Sequence, residues 1–280
     1  MILPATPQGA EAVAAHYDEL DLFYREVWGE HVHHGYWAEG RESAEEAADA
    51  LVDLLADRMG FAAGHAVCDI GCGYGASARR LAARWGVHVT GVTISAAQAG
   101  IAAARAREQP GVTVALRDWL ANGFADGSFD RAYAIESTEH MEDKQRFFDE
   151  AYRTLRPGGR LGVFAWLAGD RPRAWEVRHL LEPICREGRL PGMGDEADYR
   201  AMAGRAGFAV TTVEDFSVQV RRTWTICARR LLGRIATQPK YARFLLDTTA
   251  RNRIFAVTML RLILAYRTGA MRYCLLIAQR

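Results

Sequence analysis

The chain has almost no excess of charge, with 35 Lys and Arg against 34 Asp and Glu in 280 residues. That balance gives no global field for nucleic acid or an anionic membrane, so neither is an expected partner. A long apolar run is also missing. The longest, Ile254 to Tyr266, is interrupted by Arg261 and is too short to span a bilayer. The opening Met1-Ile2-Leu3-Pro4-Ala5-Thr6-Pro7 carries neither the basic segment nor the apolar stretch of a secretory signal, so a soluble, cytoplasmic protein is expected. Cysteine is sparse and odd in number. Cys68, Cys72, Cys185, Cys227 and Cys274 are scattered, as reduced thiols are, and lack the spacing of a disulfide framework. There is no internal repeat and no low-complexity tract. The composition is otherwise that of a globular protein with a sizeable core, 50% apolar and 25% charged. The length suits one large α/β domain or a domain with a cap.

Against that background one stretch stands out: Val67-Cys68-Asp69-Ile70-Gly71-Cys72-Gly73-Tyr74-Gly75. An apolar run breaks into three glycines at alternate positions, which reads as a buried parallel strand, a tight turn and a helix beginning near Ala76. Glycine accepts positive φ and has no Cβ, so the backbone can lie directly against a ligand. Dinucleotide enzymes use such βα turns too. The form with Asp69 followed by Gly71, Gly73 and Gly75 favours S-adenosylmethionine, whose cationic amine an acid can face.

The surrounding pattern agrees. Apolar runs at His65–Ile70, His88–Thr93, Val112–Leu116, Arg131–Ile135 and Leu161–Trp166 alternate with helical periodicity at Ala76–Trp85, Ala96–Glu108 and Asp143–Leu155. Such βαβ units build a parallel sheet. Arg156-Pro157-Gly158-Gly159 reads as a helix stop and turn leading into the fifth strand. Two further strands, Phe208–Phe216 and Tyr273–Gln279, complete a Rossmann-like α/β fold, a seven-stranded, mostly parallel sheet with helical cap insertions. Three parts lie outside it: a helical amino-terminal region, residues 1–62, and insertions at about 168–207 and 219–268 within a core of 63–280. Ligands of an open α/β sheet sit beyond the carboxyl ends of its strands, where the insertions would wall a substrate chamber.

The chain resembles the class I S-adenosylmethionine-dependent methyltransferases, most closely the γ-tocopherol methyltransferase-related branch. The similarity rests on the glycine turn together with Glu26-Val27-Trp28-Gly29-Glu30-His31-Val32-His33-His34-Gly35-Tyr36-Trp37, Gly91-Val92-Thr93-Ile94-Ser95-Ala96-Ala97-Gln98 and Ile135-Glu136-Ser137-Thr138-Glu139-His140-Met141. It runs through nearly the whole chain. The broad class places an acid at the end of the second strand for the ribose hydroxyls. Here Thr93 stands there, as in the branch, and the resemblance gives the ribose to Thr93 and Gln98. The absence of that acid also weakens a nicotinamide cofactor. By analogy Asp118 and the Trp119 N–H take adenine, with a surface Asp and a buried Trp as the alternative. Gly35, Tyr36 and Tyr17 are expected to close over the methionine part.

Glu136, Glu139 and His140 leave the fourth strand where a substrate would lie. His140 has the ordinary titration range of a general base; alternatively it orients the following helix while Glu139 packs against the amino-terminal region. Tyr24, Trp28, Trp166 and Trp224 are expected to line an apolar chamber. Arg221 and Arg222, beside Trp224, would suit an anionic acceptor, with a solvated face as the alternative for them and the reading for the other cap arginines, Arg251 and Arg253 among them. His31, His33 and His34 lack a convincing third and fourth ligand, so no metal is assigned. The expected activity is methylation of a small, largely apolar metabolite such as a prenylated aromatic, terpenoid or indole, with carbon preferred over oxygen or nitrogen. Methylation of a prenyl diphosphate and a cyclase built on the same fold remain as alternatives, and a homodimer is compatible with such a cap.

Overall fold

The computed structural model describes residues 1–246 and 255–280, which leaves Arg251 and Arg253 outside the described residues. Seven strands form one sheet: β1 (Ala66–Ile70), β2 (His88–Thr93), β3 (Val112–Leu116), β4 (Phe129–Ile135), β5 (Leu155–Ala168), β6 (Ala209–Asp215) and β7 (Met271–Gln279). Their order is β3-β2-β1-β4-β5-β7-β6. The pairings from β3 through β5 are parallel, and β7 runs antiparallel between β5 and β6. The strand order reverses between β1 and β4, so their carboxyl ends open a crevice.

Helices α1 (Ala10–Glu19), α2 (Asp21–Val27) and α3 (Ala44–Met59) precede the sheet, and α4 (Ala76–Trp85), α5 (Ala96–Ala106) and α6 (Lys144–Thr154) connect its parallel strands. After β5 come α7 (Ala174–Glu176), α8 (Glu182–Glu187) and α9 (Glu196–Ala206), with a π-helical turn at Val177–Leu181 between the first two. Between β6 and β7 lie α10 (Ser217–Val220), α11 (Arg222–Thr237), α12 (Pro239–Leu246) and α13 (Phe255–Thr268).

Alternation along the strands fills a layer on each face of the sheet. Val67 of β1 packs with Leu51, Leu55 and Met59 of α3 and Leu81 of α4, whereas Cys68 and Ile70 face Phe147 and Phe148 of α6. Tyr199 and Met202 of α9 join that second layer, so α9 covers the sheet. The helix stop in α6 comes at Thr154, and β5 already pairs with β4 at Leu155. Arg156-Pro157-Gly158-Gly159 is looped out within the strand, where the register jumps from Phe129↔Leu155 to Arg131↔Arg160. All five cysteines are buried and free. No described helix is long and apolar enough to cross a membrane.

Candidate active site

The crevice at the strand ends is a cavity lined among others by Tyr17, Gly71, Gly73, Thr93, Gln98, Asp118, Trp119, Glu136 and His140. The three glycines all have positive φ, for different reasons. A Cβ on Gly71 would stand 2.3 Å from Ser137 Cβ, and one on Gly75 would stand 3.4 Å from Ala102 of α5. These two allow close packing. A Cβ on Gly73 would meet nothing within 4 Å, so Gly73 is where the backbone leaves room for a ligand. Beside it Asp69 lines a smaller depression with His33, Gly71, Gly73 and Ser77. Burial pushes its carboxyl up to about 7, and Oδ2 has no hydrogen-bond partner among the described residues. A cationic amine would satisfy that atom and restore the carboxylate. Open space at Gly73 and an orphaned acid beside it fit S-adenosylmethionine.

At the far end Thr93 Oγ1 donates to Gln98 Oε1 at 3.1 Å, and Ser95 caps α5 by accepting from Gln98 N. Asp118 exposes its carboxylate, one oxygen of which accepts from Leu120 N at 2.9 Å. Trp119 opens the short turn that follows, so its N–H has no intrahelical acceptor. Its indole instead belongs to the core, donating to Phe147 O at 3.2 Å.

A second cavity adjoins the first and shares Tyr17, Val32, Glu136 and His140 with it. Its other walls include Tyr24, Trp28, Trp166 and Trp224, which the sequence had assigned to a substrate chamber. The indoles of Trp28 and Trp166 each meet that of Trp224 edge to face, with centroids 5.3 and 5.5 Å apart. From the cap α13 contributes Thr258 and Leu262.

Glu136 is the hinge between the two spaces. Its Oε1 accepts from His34 N (2.6 Å), His34 Nδ1 (2.9 Å) and Tyr273 OH (2.8 Å), while Oε2 accepts from Trp166 Nε1 at 2.9 Å. Burial alone would raise this carboxyl, but His34, by charge and by hydrogen bond, outweighs it and holds Glu136 below the ordinary range. Its backbone sits at φ 54, a left-handed conformation that costs a non-glycine residue energy and is fixed here by Glu136 N donating to Phe164 O. An ionised, immobile carboxylate therefore stands at the junction.

Glu139 behaves oppositely. Burial, reinforced by Glu136, pushes its carboxyl up to about 8, even though Oε1 accepts from Trp166 N at 2.5 Å. Lys144, whose ammonium burial pushes down to about 8, donates to the Glu139 and Met141 carbonyls. His140 departs from the expected base. Its Nδ1 donates to Arg189 O at 3.4 Å, which leaves Nε2 to accept from Tyr17 OH at 2.9 Å. Burial, with His16 nearby, pushes the imidazole down to about 3, so it is neutral at physiological pH and weakly basic.

Four expected contacts lie elsewhere. Gly35 and Tyr36 line neither cavity. A Cβ on Gly35 would stand 2.7 Å from Ala47 Cβ, so its glycine serves packing on α3, and Tyr36 packs edge to face on Phe216. Arg221 and Arg222 are exposed and line an outer depression, where Arg222 donates to Gly40 O and stacks over Trp37. Two residues along a helix turn about 200°, so Arg222 and Trp224 of α11 face opposite ways. His31 and His33 form a hydrogen-bonded chain: His31 Nδ1 lies 3.0 Å from His33 Nε2, and His31 Nε2 lies 3.2 Å from Asp49.

Other residues had no signal in the sequence. Asp18 of α1 accepts from Ser95 Oγ at 2.5 Å and anchors that helix over the cofactor cavity. Arg189, at φ 58, presents the carbonyl that sets the His140 tautomer. Tyr273, on the last strand, holds Glu136 across 137 positions of sequence.

This geometry agrees with the relatives. Residues 5–243 match the family described as mycolic acid cyclopropane synthetase. The 27-O-demethylrifamycin SV methyltransferase of Amycolatopsis mediterranei is 36% identical over 225 residues, 78% of this chain and 80% of that protein. The chloroplastic tocopherol O-methyltransferase of Arabidopsis thaliana is 28% identical over 297 residues, 96% of this chain and 82% of its own length. Among solved structures, the 4+2 cyclase SpnF has a TM-score of 0.82 at 27% identity and covers 100% of this chain and 99% of its own. The mycolic acid cyclopropane synthase CmaA1, solved with SAH and CTAB, shares the fold at a TM-score of 0.84 and 24% identity, covering 98% and 99%. The chain thus belongs to the mycolic acid cyclopropane synthetase family and is a class I S-adenosylmethionine-dependent methyltransferase.

Proposed function

We propose that this methyltransferase acts on a small, largely apolar metabolite, of prenylated aromatic, terpenoid or indole type, seated in the aromatic chamber, with a carbon atom as acceptor. One observation carries this reading: Tyr17, Glu136 and His140 line both cavities, so an acceptor in the chamber meets the cofactor site across them. Thr93, Gln98, Asp118 and the Trp119 N–H would hold the nucleoside, and Asp69 with Gly73 the amino-acid end. When bound, the cofactor supplies an electrophilic methyl group. The chain aligns the acceptor and excludes water. Residues 1–62 complete the enclosure, since α1 contributes Ala10, Val13 and Tyr17 to the cofactor cavity.

The electrostatics favour carbon. Adding a methyl cation to an alkene or an electron-rich ring leaves positive charge on the substrate, which aromatic faces and the fixed Glu136 carboxylate stabilise. A carbon cation is also a strong acid, so a base as weak as His140 is strong enough to take its proton. An oxygen acceptor is the second reading. The names of the rifamycin and tocopherol relatives favour it, and the raised carboxyl of Glu139 matches a phenol better than His140 does. A cyclisation without transfer is the third, because SpnF shares the fold.

The test incubates the enzyme and S-adenosylmethionine with prenylated phenols, terpenoids and indoles, following S-adenosylhomocysteine release and locating the methyl by NMR. A new carbon–methyl bond that survives in Glu139→Gln supports the proposal. An oxygen–methyl product abolished in Glu139→Gln replaces it with the second reading. Substrate consumption without S-adenosylhomocysteine establishes the cyclase.

A further inference from the structure

The near-neutral chain conceals a strongly polarised one. Residues 216–268 contain eleven of the 35 lysines and arginines but one of the 34 acids. Three of the eleven are ion-paired: Arg230 with Glu45, Lys240 with Glu26 and Arg261 with Glu187. Arg221, Arg229, Arg243 and Arg267 are exposed and make no ion pair among the described residues.

The same face is apolar between its arginines. On α13, Val257, Leu260 and Leu264 are 46%, 64% and 42% exposed at helical spacing, and Arg267 continues the stripe. Thr258 and Leu262, on the opposite side of that helix, line the aromatic chamber. On α11, Leu232 is 65% exposed and follows Arg229 on one face. An outer depression joins the two helices, bringing Val218, Arg221 and Thr225 beside Ile263 and Arg267. A patch of exposed leucines and valines set among unpaired arginines is the pattern of a surface that inserts its apolar residues at the headgroup boundary.

We propose that the outer face of α11 and α13 docks on an anionic lipid surface. The occupant follows from the charge: a second copy would set this cationic face against itself, whereas anionic headgroups complement the arginines and acyl chains take Val257, Leu260 and Leu264. The docked face is one helix thick, and its inner side is the chamber wall. An apolar acceptor dissolved in the lipid would thereby be held beside the cavity that binds it. The docking surface stands independently of which acceptor is methylated.

The experiment is sedimentation of the full chain with vesicles of phosphatidylcholine alone and of phosphatidylcholine mixed with phosphatidylglycerol. Binding to the mixed vesicles is expected, with little to the neutral ones, and added salt should weaken it. Each cation near such a surface contributes about fivefold, so Arg229→Gln with Arg267→Gln should lower partitioning by about 25-fold. Leu260→Glu with Leu264→Glu should abolish it. Both pairs of substitutions lie on exposed positions, and an unchanged stabilisation by S-adenosylmethionine would verify their folding. Equal binding to both vesicle types, or no loss in the arginine variant, overturns the proposal. So does failure to sediment with the anionic vesicles, which would leave an acidic protein surface as the partner.

Discussion

Glu139→Gln should flatten the pH dependence of stability, because a buried carboxyl at about 8 has a titration that reports directly on folding. The unfolded carboxyl titrates near its ordinary 4.5. Its folded value is raised, so the associated stability is fully present below the unfolded value and is lost as pH rises towards about 8. Over that interval the native state holds one more proton than the unfolded chain, which costs about 1.4 kcal/mol per pH unit. Between about pH 6.5 and 8 the wild type should therefore lose about 1.6 kcal/mol relative to Glu139→Gln, the slope halving as the folded group reaches half-ionisation. Glutamine reproduces the protonated group: its oxygen still accepts from Trp166 N, and it cannot ionise. Comparing the two proteins cancels Asp69, whose raised carboxyl tilts stability the same way, and His140, whose lowered imidazole tilts it the other way at more acid pH. Urea melts at several pH values in that range would give the double difference. Parallel curves for the two proteins would mean that Glu139 is already ionised near neutrality and would refute the reasoning.

The remaining expectations are simpler. Gly73→Val should abolish the stabilisation by S-adenosylmethionine in thermal melts, a gain of about 2.7 kcal/mol at a hundredfold excess over Kd in the wild type; retained stabilisation in a folded variant would remove Gly73 from the site. Gly71→Ala should destabilise the ligand-free protein by about 2–4 kcal/mol through the Ser137 contact and backbone strain, and Ser137→Gly should recover part of it in denaturant melts. Trp166→Phe should cost about 1.5–3 kcal/mol by removing a donor to the Glu136 carboxylate, measured from the urea midpoint. His140 at about 3 should place no break in kcat between pH 6 and 8; a break near 6.5 that disappears in His140→Ala would show an imidazole with ordinary basicity.

The sheet was legible because its signals are local. A parallel strand buried on both faces must be an apolar run, and the helices between strands carry their own periodicity and caps. The aromatic chamber was legible in part for the same reason, since Trp166 lies near the carboxyl end of its strand, at the sheet's opening. What the sequence hid depends on rotation or distance. Arg222 was assigned to the chamber because it neighbours Trp224, yet one helical step sequence turns them apart. Gly35 looked like a ligand contact, and its missing Cβ instead admits Ala47. His140 has a residue type suited to a base, but a carbonyl 49 positions away fixes its tautomer, and burial lowers its affinity for protons. Asp18, Arg189 and Tyr273 act only through tertiary contact, and no periodicity marks them.

Tyr17 gives the two cavities a common roof, with a kinetic consequence. Helix α1 lines the first cavity through Ala10, Val13 and Tyr17, and the second through Tyr17 as well. Asp18, on the same helix, ties it to the start of α5. A displacement of α1 that opens the first cavity would therefore also uncover the second and admit water to it. On the proposed reading, a charged species on the acceptor would have to be quenched before that helix lifts, which would place product chemistry ahead of cofactor exchange.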